Sequence, residues 1–379
     1  MTHDTADNLF GMSLTLTSGP LQNNGSTTWY AEVPFGTPGQ PMKIAFDTGS
    51  NFLWVSSTLC QENGNACKHY GNGFFNYNTS TTFSWVDQTR QSVGFGPWGT
   101  MTVETGRDLL NIGGASNATV FYMSEEYAGV QYEQLDWDGG LGVVSGSQYI
   151  KEGMSNPIND LYNCGALDPI FPFISFDCDE AIKTGTLLLG GYDLSRYEPN
   201  EFVYMPWISY EPYPPVNYMW NGAVGTIAVG GQVVATNKYF CLDSGSSRFK
   251  GDPPILNAIL DLVKASGYTA PLELTFPGGT LVVPASVYMK LIEAGPDKGQ
   301  VLPQFEPMDG LDDQLLVGSV LMDQLYTIFQ YTITGQPGDY IMEPEGMWMF
   351  NKKGGPKIVA TAQDAPADLQ KAARQGDKS

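Results

Sequence analysis

One four-residue phrase, an aspartate followed by a hydroxyl residue, glycine and serine, occurs once in each half of the chain. The first copy lies in Ile44-Ala45-Phe46-Asp47-Thr48-Gly49-Ser50-Asn51-Phe52-Leu53-Trp54-Val55 and the second in Phe240-Cys241-Leu242-Asp243-Ser244-Gly245-Ser246-Ser247. Each begins as an apolar strand and runs into a carboxylate, which is costly at the end of a buried strand unless something satisfies it. Glycine lets the backbone turn tightly, and the hydroxyls beside it supply hydrogen-bond donors. A single copy reads equally well as a turn closed by an Asx-type hydrogen bond. Two copies are poorly explained as two unrelated turns. The chain has to fold so that both phrases have a use.

With 379 residues there is room for two lobes, each with its own core. Charged residues are few while Gly, Tyr, Phe, Thr and Ser are plentiful, a balance that favours strands and tight turns over helices. The 40 acidic residues outnumber the 19 basic ones, for a net charge of −21. That surface argues against nucleic acid or an anionic membrane as partner. It suits either work at low pH, where self-repulsion falls, or simple solubility. No run of about 18 apolar residues exists, so no membrane-spanning helix is expected. Met1-Thr2-His3-Asp4-Thr5-Ala6-Asp7 has neither the basic region nor the apolar core of a signal peptide. Only His3 and His69 are present, so a histidine-based triad or His-rich metal site has little support, and no metal or cofactor is expected.

Around the two phrases the chain reads as short alternating runs broken by Gly, Asn and Ser, which predict antiparallel hairpins. Residues 1–27 read as a loose arm, and 155–161 as a short helix. The Pro-, Tyr- and Trp-rich stretch 198–222 reads as a hinge. The pattern restarts at Ala223, with a Gly230-Gly231 hairpin turn before the second phrase. Apolar residues at helical spacing in 254–266 predict a helix packed on the second half. Residues 351–379 read as a mobile tail.

The paired Asp-Thr-Gly-Ser and Asp-Ser-Gly-Ser loops resemble the two active-site loops of the pepsin-like aspartic proteases. Further stretches are similar to that family: Val33-Pro34-Phe35-Gly36-Thr37-Pro38-Gly39-Gln40 before the first loop, and Phe75-Asn76-Tyr77 with Ser80-Thr81-Thr82-Phe83 after it. Trp137-Asp138-Gly139-Gly140-Leu141-Gly142 and Leu316-Val317-Gly318 resemble the strands that thread beneath each aspartate. Leu188-Leu189-Gly190-Gly191-Tyr192-Asp193 and Tyr326-Thr327-Ile328-Phe329 also fall where the family has such phrases. The resemblance covers roughly residues 28 to 350, and two motifs in this order are a specific signal.

It implies an all-β, bilobal fold of antiparallel sheets with a central cleft and few short helices. The lobes would span 28–197, carrying Asp47 and the flap, and 223–350, carrying Asp243. It implies an aspartic endopeptidase acting on a peptide or protein substrate as a monomer, secreted or in an acidic compartment. Asp47 and Asp243 would be the dyad, supported by Thr48, Gly49, Ser50, Ser244, Gly245 and Ser246. Two carboxylates held close share a proton at acidic pH, so one can act as base on water while the other protonates the leaving nitrogen. Trp54, Phe95, Gly96 and Trp98 would border the cleft. Cys60 and Cys67 fall where the family closes a small disulfide. Cys164 and Cys178 could form a second bridge, leaving Cys241 as a buried thiol. Sequons at Asn24, Asn78 and Asn117 lean towards a secreted glycoprotein.

Two departures from the family stand out. Phe95 occupies the position of the flap tyrosine, so the hydroxyl near the catalytic water is missing; Trp98 either replaces it through its indole N–H or only packs. Arg248 and Lys250 stand where the family has apolar or small residues. Either they pair with nearby acids, or they face the cleft and favour an ionised dyad and acidic substrates. These departures, and the absence of a basic prosegment, support the alternative: a pepsin-like fold reused as a binding protein, inhibitor or small-molecule catalyst.

Overall fold

The computed structural model describes residues 11–364. Its strands form one thirteen-stranded sheet, one seven-stranded sheet and a two-stranded ribbon. In the large sheet, Gln40–Asp47 runs antiparallel to Trp29–Phe35 and parallel to Gly139–Gly142, with Asp47 opposite Gly142. Leu53–Ser56 returns antiparallel to Gly139–Gly142. The seven-stranded sheet repeats this arrangement. Gln232–Leu242 runs parallel to Gln314–Val317, and Phe249–Gly251 returns antiparallel to it. Each aspartate therefore sits at the crossing of a strand, its loop and a strand threaded beneath. This is the fold-level counterpart of the repeated sequence phrase.

Alternating apolar residues hold each crossing in place. Ile44, Phe46, Leu53, Val55, Leu141 and Val143 are buried under the first loop, and Phe240, Leu242, Phe249, Leu315 and Val317 under the second. Burying one such side chain contributes about 1.5–3 kcal/mol, so both loops stand on well-packed supports. The Gly230-Gly231 turn joins Trp220–Val229 to Gln232–Leu242 with both glycines at positive φ (55° and 78°), as a tight hairpin requires. Helix Pro157–Asn163 begins at Asn156, whose side chain accepts from the Asn159 N–H at 3.2 Å. Helix Pro253–Ala265 buries Ile255, Leu256, Ile259 and Val263, as the spacing predicts.

Several expectations are corrected. Within 1–27, the described residues are no loose arm. Met12–Ser18 pairs with Thr184–Leu189 and with Trp29–Phe35, and Leu16 is buried. The stretch 198–222 is not a bare hinge, because Tyr197–Pro206 is a strand pairing with Asp339–Lys352. Leu325–Gln336 lies beside Phe173–Asp179, so distant parts of the chain meet in one platform. Within the predicted tail, Asn351, Ile358 and Val359 are buried and tied together, the Asn351 side-chain oxygen accepting from the N–H groups of Ile358 and Val359, while most of the other residues up to 364 are exposed. Residues 1–10 and 365–379 lie outside the described part. Cys60 and Cys67 form the expected disulfide. Cys164 and Cys178 do not bridge, since one is exposed near a helix end and the other is buried in the platform. Cys241 is a buried free thiol.

Candidate active site

The two loops meet face to face and bond to each other crosswise. Thr48 Oγ1 donates to the Leu242 carbonyl at 2.9 Å, and Ser244 Oγ donates to the Phe46 carbonyl at 2.6 Å. The backbone N–H of each residue donates to the other's hydroxyl, at 3.0 and 2.8 Å. All of these groups are buried, where an unmade hydrogen bond costs about 1–3 kcal/mol. The hydroxyl residues after each aspartate therefore clamp the loops together.

The clamp brings the carboxylates into contact. Asp47 accepts from the Gly49 N–H at 2.7 Å, and Asp243 from the Gly245 N–H at 2.9 Å. Each glycine lies flat against the carboxylate of the opposite loop. A Cβ on Gly49 would stand 2.5 Å from Asp243 Oδ1, and one on Gly245 would be closer still to Asp47. No other residue fits at either position. Burial is the main cause that raises the Asp47 pKa well above the ordinary carboxylate value, and the neighbouring Asp243 charge adds to it.

The serines that follow each glycine behave differently. Ser246 Oγ donates to Asp243 Oδ2 at 2.7 Å. Ser50 Oγ is buried near Asp47, favouring its ionised form, yet it makes no hydrogen bond of good geometry. Trp54 is buried beneath the flap hairpin Ser84–Gly94 and Thr100–Ile112, whose tip spans Gly96–Trp98. Phe95 packs against Phe52 and Trp54, with ring centroids 5.5 and 6.0 Å apart. Trp98 lies over Tyr132 at 4.8 Å, and its indole N–H donates to the Asn24 carbonyl at 2.8 Å. That N–H is committed to the segment before the first strand.

Some neighbours were not legible in the sequence. Residues 25–27, part of the presumed arm, lie along the second loop: Thr27 N–H donates to the Gly245 carbonyl at 2.8 Å and Ser247 N–H to the Gly25 carbonyl at 3.0 Å. Tyr218 stands near enough to both carboxylates for their charges to reinforce burial in raising its hydroxyl pKa. Its carbonyl accepts from the Ser145 N–H at 2.8 Å, while Val143 N–H donates to the Asp47 carbonyl at 2.7 Å. No local motif marks either segment. Arg248 pairs with Glu306 at 3.1 Å, the first of the two arrangements considered for it. His69 is buried against Asp138 at 3.0 Å, and His3 lies outside the described residues. Among the described residues no cluster of three or more His, Cys, Asp or Glu could hold a metal ion.

Two β crossings that clamp paired aspartates across a cleft define an aspartic-protease type of fold. The model of the eukaryotic aspartyl protease family matches residues 28–334, and the chain belongs to that family. It is 26% identical to pepsin A of Bos taurus over 331 residues, covering 82% of this chain and 83% of that protein. It is 27% identical to pepsin A of Sus scrofa, covering 82% and 80%. Rhizopuspepsin-3 of Rhizopus niveus is 28% identical over 223 residues, 58% of this chain and 53% of that protein.

Proposed function

We propose that this protein is an aspartic endopeptidase that hydrolyses peptide bonds at acidic pH. The observation that carries this reading is the contact of Asp47 and Asp243, enforced by two glycines that leave no room for a side chain. With one proton shared, the ionised carboxylate takes a proton from a bound water, which attacks the substrate carbonyl. The protonated carboxyl hydrogen-bonds the carbonyl oxygen and afterwards donates to the leaving nitrogen. Neither a side-chain nucleophile nor a metal is needed for these steps. The Cys60–Cys67 disulfide supports an oxidising compartment or secretion. No helix among the described residues is long and apolar enough to cross a membrane. Of the sequon asparagines, Asn78 is exposed, whereas the Asn24 amide is buried and donates to the Gln131 carbonyl at 3.3 Å.

A second reading, reuse of the fold without peptidase activity, draws on the flap: Phe95 has no hydroxyl, and the Trp98 N–H is bonded elsewhere. Incubation with a mixed peptide library at acidic pH, with and without a statine-type inhibitor, separates the two. Cleavage abolished by the inhibitor supports the peptidase. Inhibitor binding without any cleavage supports reuse.

A further inference from the structure

A charged cluster stands behind the Asp243 loop. Phe249–Gly251 pairs in parallel with Phe305–Pro307, setting Lys250 opposite Glu306. Lys250 is only 3% exposed, and its side chain runs under residue 25. A Cβ on Gly25 would stand 3.3 Å from Lys250 Nζ and 2.8 Å from Glu306 Oε2, and Gly25 has φ +78°. Glycine is therefore required there on two grounds. Arg248 completes the cluster, with Nη1 on Glu306 Oε2 at 3.1 Å and Nη2 on the Asn23 side-chain oxygen. Arg248 is thus ion-paired with Glu306, and the buried Lys250 lies beside them, where the charge of Glu306 acts on it from beyond ion-pair contact.

The cluster is joined to the dyad by a short path. Residue 25, which covers the lysine, accepts from the Ser247 N–H, and Ser26 bridges to Ser246. Ser246 in turn donates to Asp243. A buried cation is costly unless other charges compensate it, and Glu306 cannot compensate two. After Glu306, the acids whose charges act on Lys250 are Asp243 and then Asp47.

Resting on the peptidase reading, we propose that Lys250 is a positioning residue for the reaction: the excess positive charge of the Arg248–Glu306–Lys250 cluster favours the singly ionised form of the Asp47/Asp243 pair, so that the pair reaches it at lower pH than it would alone. The other titratable groups near the pair are Tyr218, Cys241 and, beneath Ser244 and Phe46, Asp323; burial raises the pKa of each, so all three are neutral in acid. Burial lowers the lysine's own pKa, while Glu306, Asp243 and Asp47 each raise it again; the coupling between the lysine and the carboxylates is mutual.

The test titrates the pair in the full chain by carbon-13 NMR of carboxyl-labelled aspartate, with the two signals assigned through Asp47→Asn and Asp243→Asn. The parent is compared with Lys250→Met, Lys250→Arg and Glu306→Gln, and the acidic limb of kcat/KM on a cleaved peptide is followed in parallel. Lys250→Met should move the first ionisation of the pair up by about half a pH unit or more, and Glu306→Gln should move it down. Lys250→Arg should leave it near the parent. A Lys250→Met titration that superimposes on the parent overturns the proposal, as do shifts of the same sign in Lys250→Met and Glu306→Gln. If the parent cleaves no peptide, the peptidase reading falls, while the NMR titration still decides the role of the cluster.

Discussion

The two aspartate loops have nearly the same sequence and the same strand crossing, yet their surroundings differ. After the Asp47 loop, Phe52 and Trp54 pack with Phe95 of the flap. The serine of that loop, Ser50, lies near Asp47 and favours its ionised form, without a hydrogen bond of good geometry. Asp243 is held by Ser246 and backed by residues 25–27 and the Arg248–Glu306–Lys250 cluster. The inner contacts must be alike because each loop has to fit against the other. The outer contacts carry no such constraint, so they can give the two carboxylates different environments. Unequal environments are what separate a base from an acid in a pair of identical groups.

The largest expected effect tests what the loops share. Asp47→Asn or Asp243→Asn should lower kcat at least about a thousandfold while the circular dichroism spectrum stays native, since each carboxylate has a step of its own. Substantial cleavage by either purified variant would end the dyad assignment.

The next experiment probes where the loops differ. Ser246→Ala removes a hydrogen bond to a charged group, worth about 1.5–3 kcal/mol, so kcat/KM should fall roughly ten- to a hundredfold. Ser50→Ala removes a hydroxyl that lies near Asp47 without a well-aligned hydrogen bond and should change kcat/KM by less than about threefold. Equal losses would show that the loops are equivalent after all.

A smaller effect is expected at the flap. Trp98→Phe keeps a ring over Tyr132 but loses the bond to the Asn24 carbonyl, a neutral hydrogen bond worth about 0.5–1.5 kcal/mol. Turnover should change by no more than about tenfold. Phe95→Tyr should raise turnover if the missing hydroxyl limits catalysis. No gain in Phe95→Tyr, with a large loss in Trp98→Phe, would make the tether to Asn24 the dominant feature of the flap.

The last effect is on stability rather than rate, just beneath the clamp. Asp323 lines a small cavity together with Phe46 and Ser244, and burial raises its pKa from 3.8 to about 7. Glu180 adds to the rise, while Lys352 and Lys290 oppose it. The folded protein therefore holds this proton more tightly than the unfolded chain does. The resulting stability is complete below about pH 4 and is lost as pH rises towards 7, by at most about 1.4 kcal/mol per pH unit. Asp47, also raised, acts with the same sign. Calorimetry from pH 4 to 7 should show a falling Tm, with a shallower fall in Asp323→Asn. Parallel slopes in parent and variant would remove Asp323 from the account.

Much of this architecture is local in origin, and so it was readable from the chain. Asp47-Thr48-Gly49 and Asp243-Ser244-Gly245 announce their chemistry because turn geometry, hydroxyl donors and a carboxylate must be adjacent in sequence. The Gly230-Gly231 hairpin and the helix over 253–265 follow from rules spanning a few residues. Cys60 and Cys67 needed the family resemblance as well as their spacing. What the chain could not reveal alone is what long loops bring together. Residues 25–27 look like any polar, Gly/Asn-rich arm, yet they become part of the wall beside Asp243 through backbone hydrogen bonds, which any sequence can make. Met12–Ser18 owes its place to partners more than 160 residues away. Cys164 and Cys178 looked like a pair by spacing, and only packing separates a helix end from a buried platform strand. Trp98 and Arg248 were legible as residue types, but their partners are a carbonyl and a carboxylate delivered from elsewhere, Asn24 for the indole and Glu306 for the guanidinium. Local chemistry is written in short stretches of sequence; the charge and the contacts around it depend on distance through space, which only the folded chain decides.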